Sequence, residues 1–383
     1  MAVMPDARHA KRRRCDHVAL HVLLDSTLLV QLIQPYQDGL FSELRPRYAE
    51  WRLLALRHTT FAYAIGPIPA RFREDFAAKR PLDTLCIDSI GDDRFVLHVA
   101  IREGNLPIVR RCAINAPSLL TPAAIACASM HGRLEIVQYL HTVHGCAPTQ
   151  PSLDMSATHG HLAIVAYLTE YTACTATVHA LDGAAANGHL DVVAYLDRIR
   201  GEGASTRAMD RAAANGHLDV VAYLHVHRVE GCTRDAMDEA AIAGHLDVVQ
   251  FLHEHRREGC SVDALDGAAA RGHLEVVQFL HDNRHEGCTQ DAMHAACAHG
   301  HLDVLEFLHE NRDEGCSVEA MDSAATFGHL DVVQFLHVHR REGCSAMAWR
   351  GAFERGHIPV LQFLWRWYRP QCRVADAHEL GWC

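Results

Sequence analysis

The sequence predicts an all-α solenoid of ten helix-turn-helix units. One glycine recurs at a fixed step of 28 residues: Gly104, Gly132, Gly160, Gly188, Gly216, Gly244, Gly272, Gly300, Gly328 and Gly356. Apolar residues fall at helical spacing on both sides of each glycine, and no insertion breaks the period between residues 91 and 370. A short helix pair cannot bury its own apolar stripe. Stacking equivalent pairs gives each one a neighbour to pack on, so the expected architecture is a regular elongated array.

Residues 259–286 illustrate one unit. Ser261 is placed to cap a first helix, since its hydroxyl can accept an orphan backbone N–H, and Asp263 complements the positive helix end. Ala264, Leu265, Ala268 and Ala269 give that helix a short apolar face whose small side chains permit close packing. Gly272 ends it, because glycine accepts the left-handed conformation of a helix C-terminus. Leu274, Val276, Val277, Phe279 and Leu280 form the wider stripe of a second helix, which reads as the longer of the two and is expected to stop at Gly287.

Leu97, His98, Ala100 and Gly104, followed in later units by runs such as Ala240, Ala241, Gly244, His245, Leu246, Asp247, Val248, Val249 and Leu252, resemble the ankyrin repeat over residues 91–370. The resemblance implies a protein-binding scaffold without catalytic activity, with the partner on a concave face built from first helices. The unit departs from the family pattern. It has 28 residues where ankyrin repeats have about 33. Asp235-Ala236 stands where the family has Thr-Pro, and Asp238, Asp266 and Asp322 stand where it has histidine. The missing residues are assigned to the β-hairpin finger, so reduced or absent β-hairpin loops are expected.

The ends differ from the repeats. Residues 1–90 have no period and read as a helical N-terminal capping region, with 1–15 flexible; residues 371–383 read as a C-terminal tail. In the last unit Trp365, Trp367 and Tyr368 replace polar residues and either pack under that tail or form a contact patch. Charge is uneven: residues 1–90 hold 13 Lys and Arg against 10 Asp and Glu, and the remainder 23 against 37. An acidic array is a poor ligand for phosphate backbones, so no nucleic-acid partner is expected. No run of 18 apolar residues exists, so no membrane span is expected; Asp25 interrupts the stretch Val18 to Ile33, which argues against a secretory leader. Fourteen cysteines in a long chain with no leader point to reduced thiols in the cytoplasm, the basic run Lys11–Arg14 leaving a nuclear address open.

Histidines follow the turn glycine in eight units (His161, His189, His217, His245, His273, His301, His329, His357) and recur in the second helix (His141, His225, His253, His281, His309, His337). Equivalent positions one unit apart are about 10 Å from each other, too far to share a tetrahedral ion, so they read as structural residues and no metal or cofactor is expected. The ladder Cys232, Cys260, Cys288, Cys316 and Cys344 fails as disulfides by the same distance and reads as small buried loop residues. No phosphate-binding loop, nucleophile elbow or zinc-protease motif is present, so no enzyme is expected. Recurring Asp and Glu read as a solvated face, and arginine pairs such as Arg256-Arg257 and Arg340-Arg341 as soluble helix ends.

Between units the core positions scarcely change, while the positions five, two and one before the glycine vary freely. Residues free of packing duty are where recognition can be written. The candidate partner-binding residues are Arg211, Glu239, Arg271, His299, Phe327 and Arg355, on the first helices of a monomeric scaffold. The alternative function is a substrate adaptor of a ubiquitin ligase, through the leucine-rich segment Leu23, Leu28, Leu29, Leu32, Ile33 and Tyr36, which faintly resembles an F-box start.

Overall fold

The computed structural model describes residue 86, residues 94–199 and residues 203–368. The proposed N-terminal cap, the F-box-like segment and the tail lie outside these, apart from Cys86. The chain divides into two compact units, residues 1–177 and 178–383. Among the described residues there are twenty α-helices, in consecutive pairs, and no strand.

The first unit holds α1 (Phe95–Arg102), α2 (Leu106–Asn115), α3 (Pro122–Met130), α4 (Leu134–His144), α5 (Gln150–Thr158) and α6 (Leu162–Tyr171), with a 3-10 turn at Pro117–Leu119. The second holds α7 (Val178–Ala186), α8 (Leu190–Ile199), α9 (Thr206–Ala214), α10 (Leu218–His227), α11 (Asp235–Ala243), α12 (Leu246–His255), α13 (Val262–Arg271) and α14 (Leu274–Asn283). It continues with α15 (Gln290–His299), α16 (Leu302–Asn311), α17 (Val318–Phe327), α18 (Leu330–His339), α19 (Ala346–Glu354) and α20 (Ile358–Trp367). Within each unit every first helix packs on the first helix of the next pair, and the second helices form a row behind them. Ala264, Ala268 and Ala269 are fully buried in the first row, and Val276, Val277 and Leu280 seal the second. The alanines are what allow the first row to pack closely.

The local signals act as expected at the first helix. Ser261 is extended and its hydroxyl accepts the Asp263 N–H at 3.1 Å. Gly272 is left-handed at φ +77° and closes the helix with the paired bonds Gly272 N–H to Ala269 O and His273 N–H to Ala268 O. The histidines after the glycine belong to the structure: the rings of His161, His217, His245, His273, His301, His329 and His357 lie against the turn glycine of the preceding pair. Nε2 of His161 is 3.0 Å from Met130 O, and Nε2 of His329 is 3.1 Å from Ala298 O.

The second helix of the 259–286 unit departs from expectation. In this pair α13 and α14 are both 10 residues long, whereas in seven of the ten described pairs the second helix is the longer by one or two residues. Gly287 does not stop α14. α14 ends at Asn283 because Arg284 turns extended at φ −124°, and Gly287 lies in the loop beyond at φ +78°. The extended backbone carries the Arg284 side chain into the loop, where it pairs with Glu286.

Candidate functional site

The six candidate residues all lie in the second unit and all are exposed. Arg211 is on α9, Glu239 on α11, and Arg271, His299 and Phe327 are the last residues of α13, α15 and α17; Arg355 caps α19. Positions five and one before the glycine are four apart, so they share one helix face. Phe327 and Arg355 are brought together: the guanidinium carbon sits 4.4 Å from the ring centroid, a cation–π contact between neighbouring pairs. His299 instead folds back, with Nδ1 2.9 Å from Ala295 O and its ring stacked on His301 at 6.1 Å.

The position five before the glycine is not free of packing duty. A methyl group on Gly267 would lie 2.2 Å from Cγ1 of Ile242, and one on Gly351 would lie 2.0 Å from Oγ1 of Thr326. Size is complementary here: where the preceding helix presents Ile242 or Thr326, the next has glycine. The variation that reads as surface freedom is in part reciprocal packing. Gly267→Ala and Ile242→Ala should therefore be coupled. The glycine replacement should cost about 1–3 kcal/mol more beside Ile242 than beside alanine, by a denaturation double-mutant cycle. Additive effects would show that the contact relaxes freely.

Two further sets of side chains look like surface in the sequence and are not. Asp182, Asp238 and Asp322 are buried. Each accepts the backbone N–H of the next pair's N-cap residue: Ser205 at 3.0 Å, Ser261 at 2.7 Å and Ser345 at 2.8 Å. Asp154 does the same for Thr177 at 3.1 Å in the first unit. At His294 the imidazole Nε2 accepts from Ser317 at 2.8 Å, so one fixed acceptor position is served by two residue types. Burial raises the Asp238 carboxyl above its ordinary range despite the bonds from Ser261.

The second set is the first arginine of each arginine-rich helix end. Arg228, Arg256, Arg284, Arg312 and Arg340 pair with Glu230, Glu258, Glu286, Glu314 and Glu342, two residues on. A methyl on Gly259 would lie 2.6 Å from the Arg284 guanidinium, so the arginine lies flat against the preceding loop, where it also meets the Cys260 thiol. Burial alone would raise the Glu286 carboxyl, but the Arg284 guanidinium and local N–H groups hold it at about 2. Arg257 and Arg341, the second of each pair, do face solvent. The signal that could have found this clamp was Arg-x-Glu-Gly-Cys itself, repeated with fixed spacing.

The cysteine ladder lies mostly in the core: Cys232, Cys260, Cys316 and Cys344 are buried and Cys288 nearly so. Burial pushes the Cys232, Cys260 and Cys288 thiols up to about 11, so each keeps its proton at neutral pH and is a poor nucleophile.

Models of the ankyrin repeat match residues 209–253 and residues 265–348. No curated protein matches the chain. The two matched stretches lie between α9 and α19 and take in Gly-His turns, paired helices and five of the six candidate residues, Arg355 falling beyond them. The chain carries ankyrin repeats in its second unit, each reduced here to two helices of similar length and a short loop.

Proposed function

We propose that the chain is a non-catalytic scaffold whose protein partner docks across the first helices of the second unit, at Arg211, Glu239, Arg271, His299, Phe327 and Arg355. Ankyrin repeats are in general protein–protein interaction modules, which supports the class of function. The observation that carries the choice of face is Phe327. It is 47% exposed at the end of a helix whose inward residues Ala320, Met321, Ala324 and Ala325 are buried. With Arg355 over its ring it forms an aromatic and cationic pair, the composition that dominates binding hot spots. The acidic remainder of the chain disfavours nucleic acid, and no described helix is long and apolar enough to cross a membrane.

Proximity labelling with the intact chain identifies the partner. Phe327→Ala combined with Arg271→Ala should then weaken its binding roughly tenfold or more, with an unchanged melting temperature. Undiminished affinity would remove this face from consideration. The adaptor alternative places its contact in residues 1–90, and pull-down of the full chain without ligase core subunits counts against it.

A further inference from the structure

The clamp that closes the loops of the second unit has no counterpart in the first, where Ala116, His144 and Thr172 stand at the arginine position. Counted from the turn glycine, Thr172 stands where the repeats have Arg284, and Cys174 where they have Glu286. Pro148, Thr149 and Thr175 are the counterparts of Cys260, Ser261 and Gly287. Around Arg284 and Glu286 only about 10 Å³ of space is left. At the equivalent place between the loops that follow α4 and α6 there is an open groove of about 540 Å³, lined by His141, Gly145, Pro148, Thr149, Tyr171 and Thr175 among others.

The short side chains do not reach across it. The Thr172 hydroxyl turns back to donate to Leu168 O at 2.5 Å, and Cys174 is buried. The groove keeps its walls nonetheless. His141 Nδ1 and the Tyr167 hydroxyl are 2.9 Å apart, and Tyr167 stacks on Tyr171 at 5.2 Å. The Gln150 amide donates to the Thr175 hydroxyl at 3.2 Å across one end. Tyr171 is 62% exposed, an aromatic face beside a space that in loops of the second unit holds a guanidinium. A guanidinium fits such a place in two ways: it stacks on a tyrosine ring, and its fork of N–H groups can meet loop carbonyls and hydroxyls.

We propose that this groove binds an extended segment of a partner protein through an arginine side chain, which takes the position that Arg284 and its counterparts fill elsewhere in the chain. The site is on the loop side of the first unit. It involves none of the residues of the first-helix face, so either reading can fail without the other.

The test uses the full chain and a fluorescein-labelled peptide with the sequence of residues 337–343, which carries Arg340 and Glu342. Anisotropy should show saturable binding, weakened roughly tenfold or more when the peptide's Arg340 is replaced by glutamine. Tyr171→Ala should weaken it about two- to fivefold at constant melting temperature, as loss of an exposed cation–π contact requires. Thr172→Arg with Cys174→Glu rebuilds the clamp and should abolish binding while raising the melting temperature. Where that variant does not fold, Tyr171→Ala decides. The proposal is overturned by equal binding of the arginine and glutamine peptides, by no binding of either, by binding that survives the rebuilt clamp, by a proline-rich peptide displacing the probe, or by self-association of the chain that the rebuilt clamp removes.

Discussion

Gly272→Ala should destabilise the second unit by about 2–5 kcal/mol. Two costs add. The residue sits at φ +77°, and forcing an L side chain into the left-handed region costs roughly 1–2 kcal/mol. The new methyl would also lie 2.5 Å from Nδ1 of His301, and overpacking of a close-fitted contact costs roughly 1–3 kcal/mol more. Gly356→Ala separates the terms. Gly356 has φ +74° but nothing within 4 Å of the added methyl, so it should show the conformational cost alone. Denaturant titration of the two variants measures the difference. Equal losses would mean that the His301 ring moves aside at no cost and is not a fixed wedge between pairs.

The second large effect is expected at Asp238. Asp238→Ala leaves the N–H of Ser261 without its 2.7 Å acceptor in a buried site, a loss of about 1–3 kcal/mol. Asp238→Asn keeps an acceptor oxygen in place and should be much milder. The direction with pH follows from the raised carboxyl. Burial favours the neutral acid in the folded chain, so the folded state holds its proton to higher pH than the unfolded state does. The stability linked to this group is therefore present below the ordinary carboxylate range and is lost as pH rises through the raised value. The Asp238→Asn variant, neutral throughout, should lack that dependence. A melting temperature that falls with pH equally in the parent chain and in Asp238→Asn would place the dependence on other groups.

The parts of this fold that could be read in advance are those fixed within one unit. Gly272 announces its turn because no other residue takes that backbone at so little cost, and Ser261 announces its cap because the hydroxyl serves its own helix. Bonds between successive repeats were not legible. Asp238 meets Ser261 across 23 residues, and an aspartate on a helix reads as solvated until its neighbour is placed beside it. Arg284 reads as part of a helix end, although it leaves the helix to reach Glu286 and the preceding loop. The candidate face was legible in part. Phe327 and Arg355 each stand out in the sequence, but their contact depends on the step between pairs. Gly267 passes for a free position because its constraint, Ile242, belongs to another helix.

The reach of these bonds bears on how such a chain can change length. Asp238 finds Ser261, and Arg284 finds Gly259, at offsets set by the repeat and not by place in the chain. Excising any 28 consecutive residues from the regular stretch of the second unit brings equivalent partners to the cut, and each donor meets an acceptor of the same kind. Unequal recombination at multiples of this step would lengthen or shorten the array without leaving a raw edge, whereas a deletion of any other size would break every rung that crosses it.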